Sequence, residues 1–257
     1  MILAVDIGNT HVVMGCIENS EIKYIARMTT DVKKTENEYA ITIKQLLEFN
    51  HIDYCSFEGA IISSVVPPIT GTMKTAIRIL TGIDALVVGA GIKTGLNIRI
   101  DNPAQLGSDL VVGAVAALSL YKPPMTILDM GTATTISVID AKGTYMGGAI
   151  IPGLVLSLTA LSSGTSQLPK VPIEAPDRCI GANTIDCMKS GGVFGTAAMI
   201  DGMIERIEGE LGTKTCVIAT GGLSKSVLPH CKHDIIYNEN LLLHGLEIIY
   251  RKNQKNK

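Results

Sequence analysis

The chain has no excess of either charge: 22 Lys and Arg against 24 Asp and Glu leave a net charge of −2 over 257 residues. Without a basic stripe to neutralise phosphates, a nucleic-acid partner is excluded. Long hydrophobic runs are also lacking. The apolar stretches Leu110 to Leu120 and Ala149 to Leu161 fall short of the ~18 residues that span a bilayer, and each contains glycine or proline. They read as buried core elements, and no membrane partner is expected. No C-x-x-C occurs among the six cysteines (Cys16, Cys55, Cys179, Cys187, Cys216, Cys231), and the five histidines have no metal-ligand spacing. The opening "MILAVD" has no basic leader, so a cytoplasmic protein with reduced, mostly packed thiols is expected, Cys187 and Cys216 among them in the core. The closing "RKNQKNK" reads as a solvated, frayed tail. A Walker G-x-x-x-x-G-K-[ST] pattern is absent, which excludes a P-loop enzyme.

What is present comes twice. "MILAVDIGNTHVVMGCI" is an apolar strand, then Asp6-Ile-Gly8-Asn9-Thr10, then a second strand-like run. "ILDMGTATTISVID" repeats the plan with Asp129-Met-Gly131-Thr132-Ala133-Thr134. The two aspartates stand 129 − 6 = 123 residues apart, close to half the chain. Self-similarity on that scale predicts two units of one design.

The rest of the pattern agrees. Strands are expected at Ile2–Asp6, His11–Ile17 and Ile22–Thr29. A helix follows through "TENEYAITIKQLLEF" with Thr35 as N-cap, its stripe being Tyr39, Ile43, Leu46 and Leu47. "GAIISSVVP" is a buried strand stopped by Pro67 and Pro68, "ITGTMKTAIRIL" a helix, "ALVVG" a short parallel-type strand, and "DLVVGAVAALSLY" a helix crossing to the second half. There the order recurs: strands at Met125–Asp129, Thr134–Ile139 and Thr144–Gly148, a helix, a long helix from near Asn183, the strand "CVIATGG" and the terminal helix "ENLLLHGLEIIYRK". Strand–hairpin–helix used twice predicts an α/β protein of two like lobes, 1–108 and 109–257, sharing a hinge and a cleft.

The loops suggest chemistry. A glycine lets backbone approach a ligand closely, and exposed N–H groups and threonine hydroxyls bond phosphate oxygens. The leading carboxylate would repel phosphate unless a cation lies between them. One such loop reads equally well as a β-turn with an Asx-type bond. Two in equivalent settings favour a grip on a nucleotide's phosphates, and "CVIATGGLSKSV" offers a strand–Gly–Gly turn suited to a base.

Taken together, these residues resemble the actin-like ATPase superfamily and, along nearly the whole chain, the type III pantothenate kinases. The resemblance rests on "DIGNT", "SSVVP" at Ser63–Pro67, "DNP…GSD" at Asp101–Asp109, "DMGTATT", "GGAIIPG" at Gly147–Gly153, "SSGTSQLP" at Ser162–Pro169, "NT…KSGG…G" at Asn183–Gly195 and "ATGG" at Ala219–Gly222. It implies two ribonuclease-H-like lobes with mixed sheets flanked by helices, a homodimer, and ATP used with a divalent cation such as magnesium and a monovalent one, potassium or ammonium. The implied reaction transfers the γ-phosphoryl of ATP to the primary hydroxyl of pantothenate, the first step toward coenzyme A.

Carried over residue by residue, Asp109 becomes the general base, although a carboxylate at a helix start also stabilises the helix by itself. ATP binding falls to Asp6, Gly8, Asn9, Thr10, Gly131, Thr132, Ala133, Thr134, Gly221 and Gly222. Gly107, Ser108, Ile100 and Thr184 go to the acceptor, Thr184 being also a candidate helix cap. Asp6 takes the divalent cation and Asp129 the monovalent one. Gly191, Gly192, Gly195, Ala197 and Ala198 read as close-packing positions at the dimer contact, with little direct chemistry. Two positions depart from the family: Ile100 and Leu110 stand where a tyrosine and an arginine are common. A missing charge-assisted bond to the pantothenate carboxylate predicts binding weaker by ~1.5–3 kcal/mol. A kinase of another small hydroxyl acceptor and a non-catalytic nucleotide-binding regulator are the competing readings.

Overall fold

A computed structural model describes residues 1–254; the last three residues of the expected tail lie outside it. In chain order the elements are β1 (Ile2–Ile7), β2 (His11–Glu18), β3 (Glu21–Thr29), α1 (Glu36–Phe49), β4 (Gly59–Ser64), α2 (Pro67–Thr81), β5 (Leu86–Val87), β6 (Asn97–Ile98) and α3 (Ser108–Leu120). They continue with β7 (Met125–Met130), β8 (Ala133–Ile139), β9 (Thr144–Pro152), α4 (Leu154–Gly164), α5 (Thr184–Leu211), β10 (Cys216–Thr220), α6 (Ser224–Val227), β11 (Ile236–Tyr237) and α7 (Leu241–Gln254).

Two mixed sheets result, ordered β3-β2-β1-β4-β5 and β11-β10-β7-β8-β9-β6. In the first, β1 pairs antiparallel with β2 and parallel with β4. In the second, β7 pairs antiparallel with β8 and parallel with β10. The 123-residue repeat is thus a repeat of strand order, with β6 added at one edge. β1 and β7 sit centrally and are almost wholly buried, as continuous apolar runs require.

Local chemistry accounts for the helices. Thr35 opens α1 with a full capping box: its hydroxyl accepts from Glu38 N–H while the Glu38 carboxylate accepts from Thr35 N–H. Pro67 and Pro68 end the apolar run by starting α2, where the missing N–H groups cost nothing. Asn183, rather than Thr184, caps α5, its side chain accepting from Asp186 N–H at 2.9 Å. Thr184 is the first helical residue.

Two compact units divide the described residues: Met1–Leu96 with Asp101–Ser119 and the residues from Asn240 onward, and Asn97–Ile100 with Leu120–Glu239. These differ from the expected split at 108/109 because α3 stays with the first unit, Asn97–Ile100 joins the second, and α7 returns to the first sheet. Leu243 fills the space over Gly15 and Tyr250 the space over Gly59, where any Cβ would collide, and Gly245 lies against the Val112 backbone. Leu241, Leu246 and Ile249 bury the same face of α7. Each such side chain contributes ~1.5–3 kcal/mol on burial, enough to fix a terminal helix to a distant strand. Helix α7 also carries Arg251 to Gln254, which the sequence suggests as frayed tail.

The thiols differ from expectation too. Cys16 is buried and pushed up to about 12 by desolvation, but Cys55, Cys179 and Cys187 are exposed and Cys216 is half-buried. Cys187 lies in the first turn of α5, off the face that buries Met188, Gly192 and Val193. Strand β9 runs on to Pro152 instead of stopping at Gly148, because Pro152 is at its end, where a missing donor is tolerated.

Candidate active site

In the first unit, β1 delivers Asp6 one residue before its end, half-buried, in register with Val13 of β2 and Ser63 of β4. The turn then closes tightly: Gly8 N–H donates to His11 O at 3.0 Å, leaving Asn9 and Thr10 exposed. Thr30, which the motif does not include, fastens this loop by donating its hydroxyl to Gly8 O at 2.6 Å. His11 is exposed at the start of β2.

Gly107, Ser108 and Asp109 belong to the same unit, where α3 begins. The Asp109 carboxylate folds back so that Oδ1 accepts from Leu110 N–H at 2.8 Å. It lies over Gly107, where a Cβ would strike Oδ1. Gly107 therefore supplies the space that the carboxylate occupies. Burial pushes the Asp109 carboxyl above its usual value, and the N–H groups of Leu110 and of Asp109 itself oppose that rise only in part. Ser108 turns its hydroxyl toward Ser63 and Ser64 at the end of β4.

The second unit repeats the first. Asp129 again stands one residue before the end of the central strand, half-buried, in register with Thr135 of β8 and Thr220 of β10. Gly131 N–H donates to Ala133 O at 3.0 Å, Thr132 is exposed, and Ala133 is half-buried. Thr134 is 1% exposed, so this strand residue has its side chain in the core. Gly153 closes the other side: its N–H donates to Thr132 O at 3.1 Å, and a Cβ there would meet the Gly131 and Thr132 carbonyls. The sequence marks Gly153 only as part of a motif; its role in bracing the loop depends on a long-range contact.

At the end of β10, Gly221 adopts φ +91°, and a Cβ would lie 2.5 Å from Met130 O. The Gly221–Gly222 turn is thereby seated directly on the end of β7, with Gly222 exposed. Ser224 locks it by donating to Thr220 O at 2.6 Å. Thr184 lines a pocket of about 530 Å³ with Leu154, Leu158, Cys187, Met188 and Gly192 among its walls, and no Lys or Arg lines it. Ile100 is half-buried in this unit, 3.8 Å from the place a Gly147 Cβ would take, while Arg99 beside it is exposed.

Two mixed sheets, each with a carboxylate–glycine–hydroxyl loop at the end of its central strand, define the actin-like ATPase fold. Solved structures agree on the fold: a Baf-family protein of Campylobacter jejuni (19% identical, TM-score 0.64, 98% of this chain and 99% of that one) and the (R)-2-hydroxyglutaryl-CoA dehydratase component A of Acidaminococcus fermentans (13%, 0.56, 100% and 99%). An inorganic polyphosphate/ATP-glucomannokinase from Arthrobacter is a further neighbour (11%, 0.51, 99% of each chain).

Sequence comparison narrows the class. The family model described as type III pantothenate kinase matches residues 2–206. Curated type III pantothenate kinases from Halalkalibacterium halodurans and Exiguobacterium sp. are 39% and 40% identical over 253 and 255 residues, covering 98% and 99% of this chain and 100% of theirs. The chain belongs to the type III pantothenate kinase family.

Proposed function

We propose that the chain transfers the γ-phosphoryl of ATP to the primary hydroxyl of pantothenate, opening coenzyme A synthesis, with Asp109 as the general base. Family membership supports the reaction, and the observation that carries the assignment of the base is the Asp109 carboxylate itself. It is desolvated, raised in pKa and held over Gly107 in the unit that carries the Asp6 loop. As the hydroxyl oxygen bonds to the γ-phosphorus, its proton passes to the Asp109 carboxylate and the bond to the ADP oxygen breaks. The backbone N–H groups and hydroxyls at Gly8–Thr10 and Gly131–Thr132 orient the phosphates, and Gly221–Gly222 receive the base. Packing does not demand the bare Gly131, where a Cβ would meet only ordinary contacts at 3.8 and 3.9 Å, so its openness serves backbone access to a ligand.

The cation assignments fit the donors. Among the described residues no group of three or more His, Cys, Asp or Glu forms a metal cage. A divalent cation held by Asp6 and the ATP phosphates needs none, because magnesium commonly keeps its waters and one or two carboxylates. When bound, it neutralises charge on the phosphate oxygens. Asp129, in register with Thr135 and Thr220, supplies a carboxylate oxygen donor for potassium or ammonium. ADP release is therefore expected to require a divalent cation and to rise with potassium.

Thr184 and its pocket are assigned to the acceptor. With no Lys or Arg in the lining, and with Ile100 and Leu110 in place of a phenol and a guanidinium, pantothenate binds weakly. Leu110→Arg combined with Ile100→Tyr is expected to lower the Michaelis constant for pantothenate roughly ten- to a hundredfold, the reverse of the lost charge-assisted bond. No improvement, or tight binding by the native chain, means another group already holds the carboxylate.

The working form is a cytoplasmic homodimer. Ile150, Val155, Leu156, Leu161, Ile180 and Ile185 are six of the thirteen large exposed hydrophobics among the described residues, all within residues 150–185. Exposed large apolar side chains gathered in one segment support a protein contact there, and the open space beside Gly191 and Gly195 of α5 permits close approach. No described helix is long and apolar enough to cross a membrane.

A further inference from the structure

Ser108 begins a helix without capping it. A serine at a helix start ordinarily accepts from an N–H of its own first turn, yet this hydroxyl reaches back to β4. It accepts from Ser64 N–H at 3.0 Å, donates to Ser64 O at 2.9 Å and lies 3.1 Å from the Ser63 hydroxyl. A hydroxyl has one donor and two acceptor sites. With its proton on Ser64 O, Ser108 must accept from both Ser64 N–H and the Ser63 hydroxyl, and all three sites are filled. None is left for an acceptor molecule.

Ser63 is the other half of the clamp. It is fully buried, and its register partner on β1 is Asp6. The Ser64 hydroxyl extends the connection into α2, receiving Val66 N–H at 3.2 Å and the Thr70 hydroxyl at 2.7 Å. The start of α3 is thus pinned to the strand that flanks Asp6, one residue before Asp109.

We propose that Ser63 and Ser108 are positioning residues that set the Asp109 carboxylate relative to the Asp6 end of β1, and that the Ser108 hydroxyl does not contact the acceptor. The proposal rests on the reading of Asp109 as the base. Loss of the clamp leaves substrate pockets untouched while the base drifts, and a misplacement of ~1 Å costs on the order of a hundredfold in rate.

The test is steady-state kinetics of Ser63→Ala and Ser108→Ala in the full chain, with Mg²⁺, K⁺, ATP and pantothenate, alongside thermal melts. Ser108→Ala is expected to lose about ten- to a hundredfold in kcat and Ser63→Ala, which keeps both Ser108–Ser64 bonds, less than that, with both Michaelis constants within about threefold of native in each. In an Asp109→Asn background the same substitutions should change the residual rate less than about twofold, because the group they position is gone. A rise of tenfold or more in the pantothenate Michaelis constant with kcat retained would show that Ser108 binds the acceptor, and would overturn the proposal. So would an unchanged kcat in both variants. If Ser108→Ala melts below the assay temperature, its kinetics and those of the native chain are compared below its melting point, and an unchanged kcat there overturns the proposal. Failure of the base reading is separate: it appears as full activity in Asp109→Asn itself.

Discussion

At the scale of single residues, Asp109 is where stability and activity conflict. Its folded pKa is raised, so the ionised carboxylate costs the folded state stability once the pH exceeds its ordinary range. The stabilising contribution of the protonated form is fully present below the unfolded pKa and is lost as pH rises through the folded pKa. Asp109→Asn is therefore expected to raise Tm at pH 7, with the gain vanishing in acid, where the native side chain is itself neutral. The same variant should lose ~10²–10⁴ in kcat. In the native enzyme, kcat/KM should fall as pH drops through a value above that of an ordinary aspartate. Scanning calorimetry and a pH–rate profile check the two halves. Gly107→Ala is a companion case. Its added methyl displaces the carboxylate rather than the backbone, so kcat should drop at least tenfold while Tm moves little. The sequence marks Asp109 through its motif, but it does not show why the preceding glycine matters, because the collision depends on a side chain folding back over its own turn.

At the scale of elements, most of the architecture is legible in the sequence. The central strands stand out as unbroken apolar runs, and Thr35 with Glu38 announces α1 through its capping box. What escapes is set by tertiary contacts. Pro67 and Pro68 read as a strand stop but serve as a helix start. The two-residue strands β6 and β11 carry too little periodicity to detect, and α7 joins the first unit through spaces above Gly15 and Gly59 that no local pattern records. The glycine turn after β10 shows the same dependence. Gly221→Ala must place a Cβ at positive φ against Met130, which should cost at least ~1 kcal/mol and raise the Michaelis constant for ATP more than that for pantothenate. Urea unfolding with substrate titrations separates those effects.

For the whole molecule, the repeated sheet order gives a kinase of two like units, and the exposed apolar side chains between residues 150 and 185 underlie the proposal that it dimerises. Leu156→Asp should convert the dimer to a monomer in light scattering coupled to size exclusion, since a charge cannot be desolvated in such a contact without a partner. The repeat is legible from the 123-residue spacing of Asp6 and Asp129; the unit boundaries are not, because the chain returns to its first unit at the end. Whether the chain phosphorylates pantothenate with Asp109 as base is decided by ADP release from the native chain and Asp109→Asn, with and without pantothenate. Pantothenate-dependent release by the native chain and a loss of at least a hundredfold in the variant are expected. Release that ignores pantothenate, or an Asp109→Asn enzyme that turns over at the native rate, would contradict that assignment.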